Sequence, residues 1–157
     1  MADLSVTLTE SLLIDGKQQG GTKTTNIGAC TEIYKRTVTC TTNQQTKIVE
    51  FRTGVHTAPS AVDLEGTKYI RVTNLDSTNP VTLSLQIAKD EDASADESTS
   101  IALGAGQHFL MGIAHDGIAT DDTNATYISA LNDLESIIIN PAGNTVLCEV
   151  FVAGVIA

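Results

Sequence analysis

Three histidines, His56, His108 and His115, are the side chains of this sequence able to act as general bases near neutral pH. Such a base works only beside a nucleophile that it deprotonates and a carboxylate that orients it. The local signatures that gather these groups are missing: there is no Gly-x-Ser-x-Gly turn, no His-Glu-x-x-His and no phosphate-binding glycine loop ending in Lys-Ser or Lys-Thr. His108 lies between Gln107 and Phe109 at the start of an expected strand, and His115 precedes Asp116-Gly117 in an expected turn. No catalytic residue and no cofactor-binding residue is assigned, and the expectation is a protein without enzymatic activity.

The densest acidic segment is Asp90-Glu91-Asp92-Ala93-Ser94-Ala95-Asp96-Glu97, five carboxylates in eight residues. Calcium takes several such oxygens, but the segment lacks the glycine and the terminal bidentate glutamate of an EF-hand loop. It reads as a hydrated tip between two strands, as do Asp116, Asp121 and Asp122. Cys30, Cys40 and Cys148 have no second Cys or His at the two-to-four spacing of a zinc site. Cys40 shares alternation parity with Val38, and Cys148 with Val146 and Val150, which predicts small buried thiols rather than a disulfide. No metal ligand is assigned. A sugar-binding module is the rival reading, since β-sandwiches carry such sites. Sugar faces favour aromatic platforms, whereas Trp is absent and Tyr34, Tyr69 and Tyr127 fall inside expected strands. Asn124-Ala125-Thr126 fits a glycosylation sequon and is read as a loop.

These residues must be positioned by one domain, since the chain has 157 residues. A net charge of −10 repels polyanions and argues against nucleic acid as a partner. With 41% apolar and 18% charged residues, the composition is too apolar for disorder, and its apolar runs are too interrupted for a membrane span. The charge is uneven. Residues 1–80 balance eight bases against eight acids, while residues 81–157 hold eleven acids against Lys89. That asymmetry predicts one face able to meet a neighbour and another presenting acid to solvent. Met1-Ala2-Asp3-Leu4-Ser5 has neither a basic segment nor a long apolar one, so the expectation is a protein made and kept inside a cell.

The dominant hydrophobic period is two. Val81, Leu83, Leu85 and Ile87 alternate with Thr82, Ser84, Gln86 and Ala88; Leu4, Val6 and Leu8 alternate with Ser5, Thr7 and Thr9. Val49 and Phe51 alternate less cleanly with Ile48, Glu50 and Arg52. Twenty-two threonines favour a pleated surface. Asp15-Gly16 follows Leu12-Leu13-Ile14, so residues 1–28 read as a hairpin with a polar returning strand. Asn74 to Pro80, Gly104-Ala105-Gly106 and Asn140 to Asn144 are further turns, and Pro141 is expected outside any paired central strand. One helical turn or a loop is expected near Pro59-Ser60-Ala61-Val62. The terminal run Val146 to Ile156 is apolar on both parities apart from Glu149, so both of its faces should be covered, by its own domain or by a neighbouring subunit. About ten strands result, predicting a single all-β domain over 1–157: an antiparallel sandwich, jelly-roll-like, or a barrel, with the N-terminal hairpin available for assembly.

The segment Tyr69-Ile70-Arg71-Val72-Thr73-Asn74-Leu75-Asp76, followed by the alternating strand and by Leu103-Gly104-Ala105-Gly106-Gln107-His108-Phe109, resembles small virion structural proteins of tailed bacteriophages, marine and cyanobacterial phages included. Thr9 to Gly16 and Val146 to Val152 fit the same pattern. The resemblance implies a non-catalytic all-β protein present in many copies on the particle, as capsid decoration or cement first, or as a tail or neck accessory. Its partners would be further copies of itself and a major capsid or tail protein, and its location the virion, after synthesis in the host cytoplasm. The acidic tips at 90–97 and 116–122 should then face solvent, with contacts formed elsewhere.

Overall fold

The computed structural model describes residues 2–53, 61–88, 97–112, 117–118 and 131–156. Residues 2–30 form a two-stranded ribbon. β1 (Ala2–Thr9) pairs antiparallel with β4 (Thr22–Cys30), and the short strands β2 (Leu13–Ile14) and β3 (Lys17–Gln18) extend it to a tip. Asp15 and Gly16 both take positive φ, 49° and 75°, which gives the two-residue loop the twist that paired strands require. Leu4, Val6 and Leu8 lie opposite Ile27, Thr25 and Lys23 on one face, while Ser5, Thr7 and Thr9 face Asn26, Thr24 and Thr22 on the other. The hydroxyls of Thr7 and Thr24 meet at 3.0 Å across that polar face.

The remaining strands build the sandwich that the period-two pattern predicts. They are β5 (Glu32–Cys40), β6 (Thr46–Arg52), β7 (Ala61–Asp63), β8 (Thr67–Asn74), β9 (Val81–Ala88), β10 (Glu97–Leu103), β11 (His108–Met111), β12 (Asp133–Pro141) and β13 (Val146–Gly154). One sheet runs β11-β8-β13-β5, the other β10-β9-β12-β6-β7. Apart from the β9–β10 hairpin and the β6–β7 pair, each strand is followed by one in the opposite sheet. With β7 set aside, this is the connectivity of a jelly roll, and it places β13 between β5 and β8.

The core lies between the sheets. Val81, Leu83, Leu85, Leu134, Ile137, Ile139 and Val49 meet Ile70, Val72, Val146, Cys148, Val150 and Val152, and these side chains are buried. Tyr34 closes one edge, its hydroxyl donating to the Ile48 carbonyl at 3.0 Å. The imperfect alternation around Ile48 has a cause: β12 shifts register between Ile137 and Ile138, which pair with Val49 and Lys47, so that Ile48 is skipped and buried beside Val49. Cys30, Cys40 and Cys148 are buried free thiols, as parity predicts for Cys40 and Cys148. The hydrogen bond with Cys40 raises the Cys148 thiol well above the ordinary range, and burial acts in the same direction.

Two local expectations are corrected. Ala61 and Val62 belong to β7, which pairs in parallel with β6 through Phe51 and Val62, rather than to a helical turn; Val62 is buried, and burial against the sheet outweighs the weak helix-start signal. Pro141 is the last residue of central strand β12, opposite Val81. A strand terminus tolerates its missing N–H, and its carbonyl accepts the Asn43 N–H at 2.9 Å.

Asn74 ties one end of the sandwich together. Fully buried at the end of β8, its Nδ2 donates to the carbonyls of Asn79 at 2.8 Å, Gly104 at 3.1 Å and Leu103 at 3.4 Å, and its Oδ1 accepts the Asp76 N–H at 3.0 Å. Asp76 Oδ1 in turn accepts from the backbone of Thr78 and Asn79. Those bonds hold the Asp76 carboxyl below the usual range.

Candidate interaction surface

The outward faces of the two sheets differ in chemistry. On the five-stranded sheet, the register aligns Ser98, Ser100 and Ala102 with Gln86, Ser84 and Thr82 of β9, and these with Ser136, Ile138 and Asn140 of β12. The Ser84 and Ser100 hydroxyls meet at 2.6 Å. This is a polar surface interrupted by Ile138 and the small Ala102 among those residues.

On the four-stranded sheet, one row across the strands reads Leu110, Arg71, Phe151, Lys35; the next reads His108, Thr73, Glu149, Thr37. Leu75 donates its N–H to the Leu147 carbonyl at 2.9 Å at one end, and Ala153 lies opposite Ile33 and Tyr69 at the other. Ile33, Leu75, Leu110 and Leu147 are each close to half exposed. Amid these apolar groups Glu149 is held by Arg71 and by Lys35 at 3.4 Å. The Arg71 guanidinium stands 5.7 Å from the Phe151 ring centre, and Tyr69 meets that ring edge-on at 6.0 Å. The tyrosine thus does the cross-strand packing that its place in a strand predicts, as Tyr34 does in the core.

The apolar residues on both parities of the terminal strand predict cover on both sides. Its inward side is covered by the five-stranded sheet; its outward side is covered only in part, by the ribbon. Leu4, Ser5, Val6 and Thr7 form one wall of an open cleft of about 400 Å³ whose other wall is Lys35, Tyr69, Arg71 and Phe151. Leu4 and Val6 are half-buried there, and Arg71 Nε, also buried, has no hydrogen-bond partner. Beyond Thr7 the ribbon's apolar residues lose their cover: Leu8, Leu12, Leu13 and Ile14 are all more than half exposed, Leu13 at 69%. The ribbon joins the sandwich through Thr31, the one residue between β4 and β5; Ala29, at φ 57°, lies inside β4 at the bulge opposite Asp3, whose Oδ1 accepts its N–H at 3.0 Å.

Of the histidines, His108 is exposed at the start of β11, opposite Thr73 and separated from Glu149 by the width of β8. His56, His115, Tyr127, Asn124 and the acids Asp90, Glu91, Asp92, Asp96, Asp116, Asp121 and Asp122 lie outside the described residues, while Glu97 is the half-buried first residue of β10. Among the described residues no three His, Cys, Asp or Glu side chains gather to hold a metal. The tip residues of the ribbon were legible as a hairpin from Asp15-Gly16; that they project uncovered was not, because exposure depends on where the ribbon leaves the sheet. Comparison with protein-family models, curated proteins and solved structures finds no match.

Proposed function

We propose that this protein is a non-enzymatic structural component of a tailed-phage virion, as capsid decoration or cement before tail or neck accessory, acting by repeated protein–protein contacts. The observation that carries the reading is the presence on one chain of two clusters of half-exposed Leu and Ile, at the ribbon tip and on the partly covered, mixed outward face of β11-β8-β13-β5, set against a polar face on the other sheet. The jelly roll supports it by analogy, because that fold recurs in viral capsid domains. Eight half-exposed Leu or Ile side chains gain roughly 1 kcal/mol each on burial, about 8 kcal/mol together. That is of the same order as the 4–15 kcal/mol that association costs. A single contact is therefore weak, and contacts repeated around a particle are strong because each holds its neighbours at high effective concentration.

Co-sedimentation of the purified protein with tailed-phage capsids and, separately, with tails tests this. Saturable binding at a fixed copy number supports the proposal; a monomer that stays in the supernatant with both refutes it. A carbohydrate-binding role draws support from one feature, the cleft lined by Tyr69, Phe151, Arg71 and Lys35. Binding on a glycan array that Phe151→Ala abolishes would favour that role instead.

A further inference from the structure

We infer that the N-terminal ribbon, Ala2–Cys30, is an assembly arm that lies on the outward face of the four-stranded sheet of a second copy of this chain. The inference rests on the self-associating part of the function proposed above and specifies the surfaces.

Four observations identify a second copy as the occupant. First, the ribbon already uses this face within its own chain: Leu4 and Val6 stand against the wall formed by Tyr69, Phe151, Arg71 and Lys35, so the chemistries are compatible. Second, that contact is incomplete. A cleft of about 400 Å³ separates the two walls, and the buried Arg71 Nε is left without a partner. Third, the tether explains the incompleteness. Thr31 alone links β4 to β5 at the sheet edge, so Leu8, Leu12, Leu13 and Ile14 run past the cleft while Leu75, Leu110 and Leu147 stay bare. A ribbon arriving from a neighbour carries no such tether and can lay its whole apolar length along the face, continuing the contact that Leu4 and Val6 begin. Fourth, the connection is short. One residue, Thr31, joins β4 to β5, and a short connection that keeps an element from folding back onto its own domain favours exchange of that element between copies. Because the arm and its seat are different surfaces, one copy can give its arm to the next and receive one from the previous, which closes a ring or extends an array.

The test mixes two single variants of the full chain, Val6→Cys and Phe151→Cys, at high protein concentration under mild oxidation. The three native thiols are buried, which keeps background coupling low. The expected product is a covalent dimer joining one chain of each kind, and Leu13→Asp placed in the Val6→Cys chain should reduce its yield at least tenfold. Leu13 is exposed, so that change leaves folding intact. If the double variant Val6→Cys/Phe151→Cys couples only within one chain and the mixture gives no heterodimer, the arm stays at home and the inference is wrong. Native mass spectrometry of the unmodified protein and its binding to phage particles separate the two levels. Oligomers or particle binding without the heterodimer overturn the inference and leave the proposed function standing, whereas a monomer that binds no particle overturns both.

Discussion

Asn74 is the residue whose replacement the structure specifies most closely. Its buried amide holds three carbonyls from two turns, those of Asn79, Leu103 and Gly104, and accepts the Asp76 N–H. In Asn74→Ala all four bonds go. A net value of about 0.5–1.5 kcal/mol per bond, with the 3.4 Å contact counted as little, gives roughly 3 kcal/mol. For a domain of this size that lowers the unfolding midpoint by about 6–12 °C. Asn74→Asp keeps the size and the acceptor but turns a carboxylate toward three carbonyl oxygens, so it should be at least as damaging. Asn144→Ala removes one exposed bond, from its Nδ2 to Asn79 Oδ1 at 2.9 Å, and should cost less than about 0.5 kcal/mol. Urea unfolding followed by circular dichroism measures all three. A loss below about 1 kcal/mol for Asn74→Ala, or an Asn74→Asp variant more stable than Asn74→Ala, would refute the claim that donation to the two turns is what the side chain contributes.

Three further outcomes are expected. The lowered Asp76 carboxyl contributes stability that is complete above the ordinary aspartate value of about 3.9 and is lost as pH falls through the folded value; urea midpoints of Asp76→Asn and the parent protein should therefore differ at pH 7 and converge in strong acid, and a constant difference at all pH would count against it. In Gly20→Ala the new Cβ would collide with the Glu10 carbonyl oxygen; hydrogen exchange should speed up at the Glu10 and Gln19 amides, which donate to Gly21 and Leu12, while core amides of β12 and β13 keep their protection. In Gly66→Ala the added carbon would sit 2.8 Å from the Val155 carbonyl, where Val155 N also donates to Gly66 O, so a loss of about 1–3 kcal/mol in thermal unfolding is expected.

What could be read from the sequence followed from local rules. Alternation identified Val81 to Ile87, and Asp15-Gly16 identified a two-residue hairpin, because side-chain direction and positive φ are properties of neighbouring residues. The misreadings arose where distant strands decide. Ile48 is buried off parity because β6 bulges there against β12, Ala61-Val62 becomes a strand because β6 offers a free edge, and Pro141 is tolerated because β12 ends there. The candidate interaction surface lay beyond sequence for the same reason. Leu75, Leu110 and Leu147 are far apart in the chain, and only the order β11-β8-β13-β5 assembles them into one face; a bare Leu147 and a covered Val146 look alike in one dimension.

The position of β13 also sets a schedule. It fills the gap between β5 and β8, pairing Val38 with Cys148 across more than a hundred residues, and the loop closure such a contact requires makes it slow to form. At synthesis rates of roughly 5–20 residues per second, β5 waits on the order of 5–20 s after its own emergence before its partner exists. During that interval the sheet has no outward face, because two of its four strands are not yet joined. If the ribbon seats on a second copy as proposed, a nascent chain can present its ribbon but cannot receive one, and growth of the assembly is held back until folding of each recipient is finished.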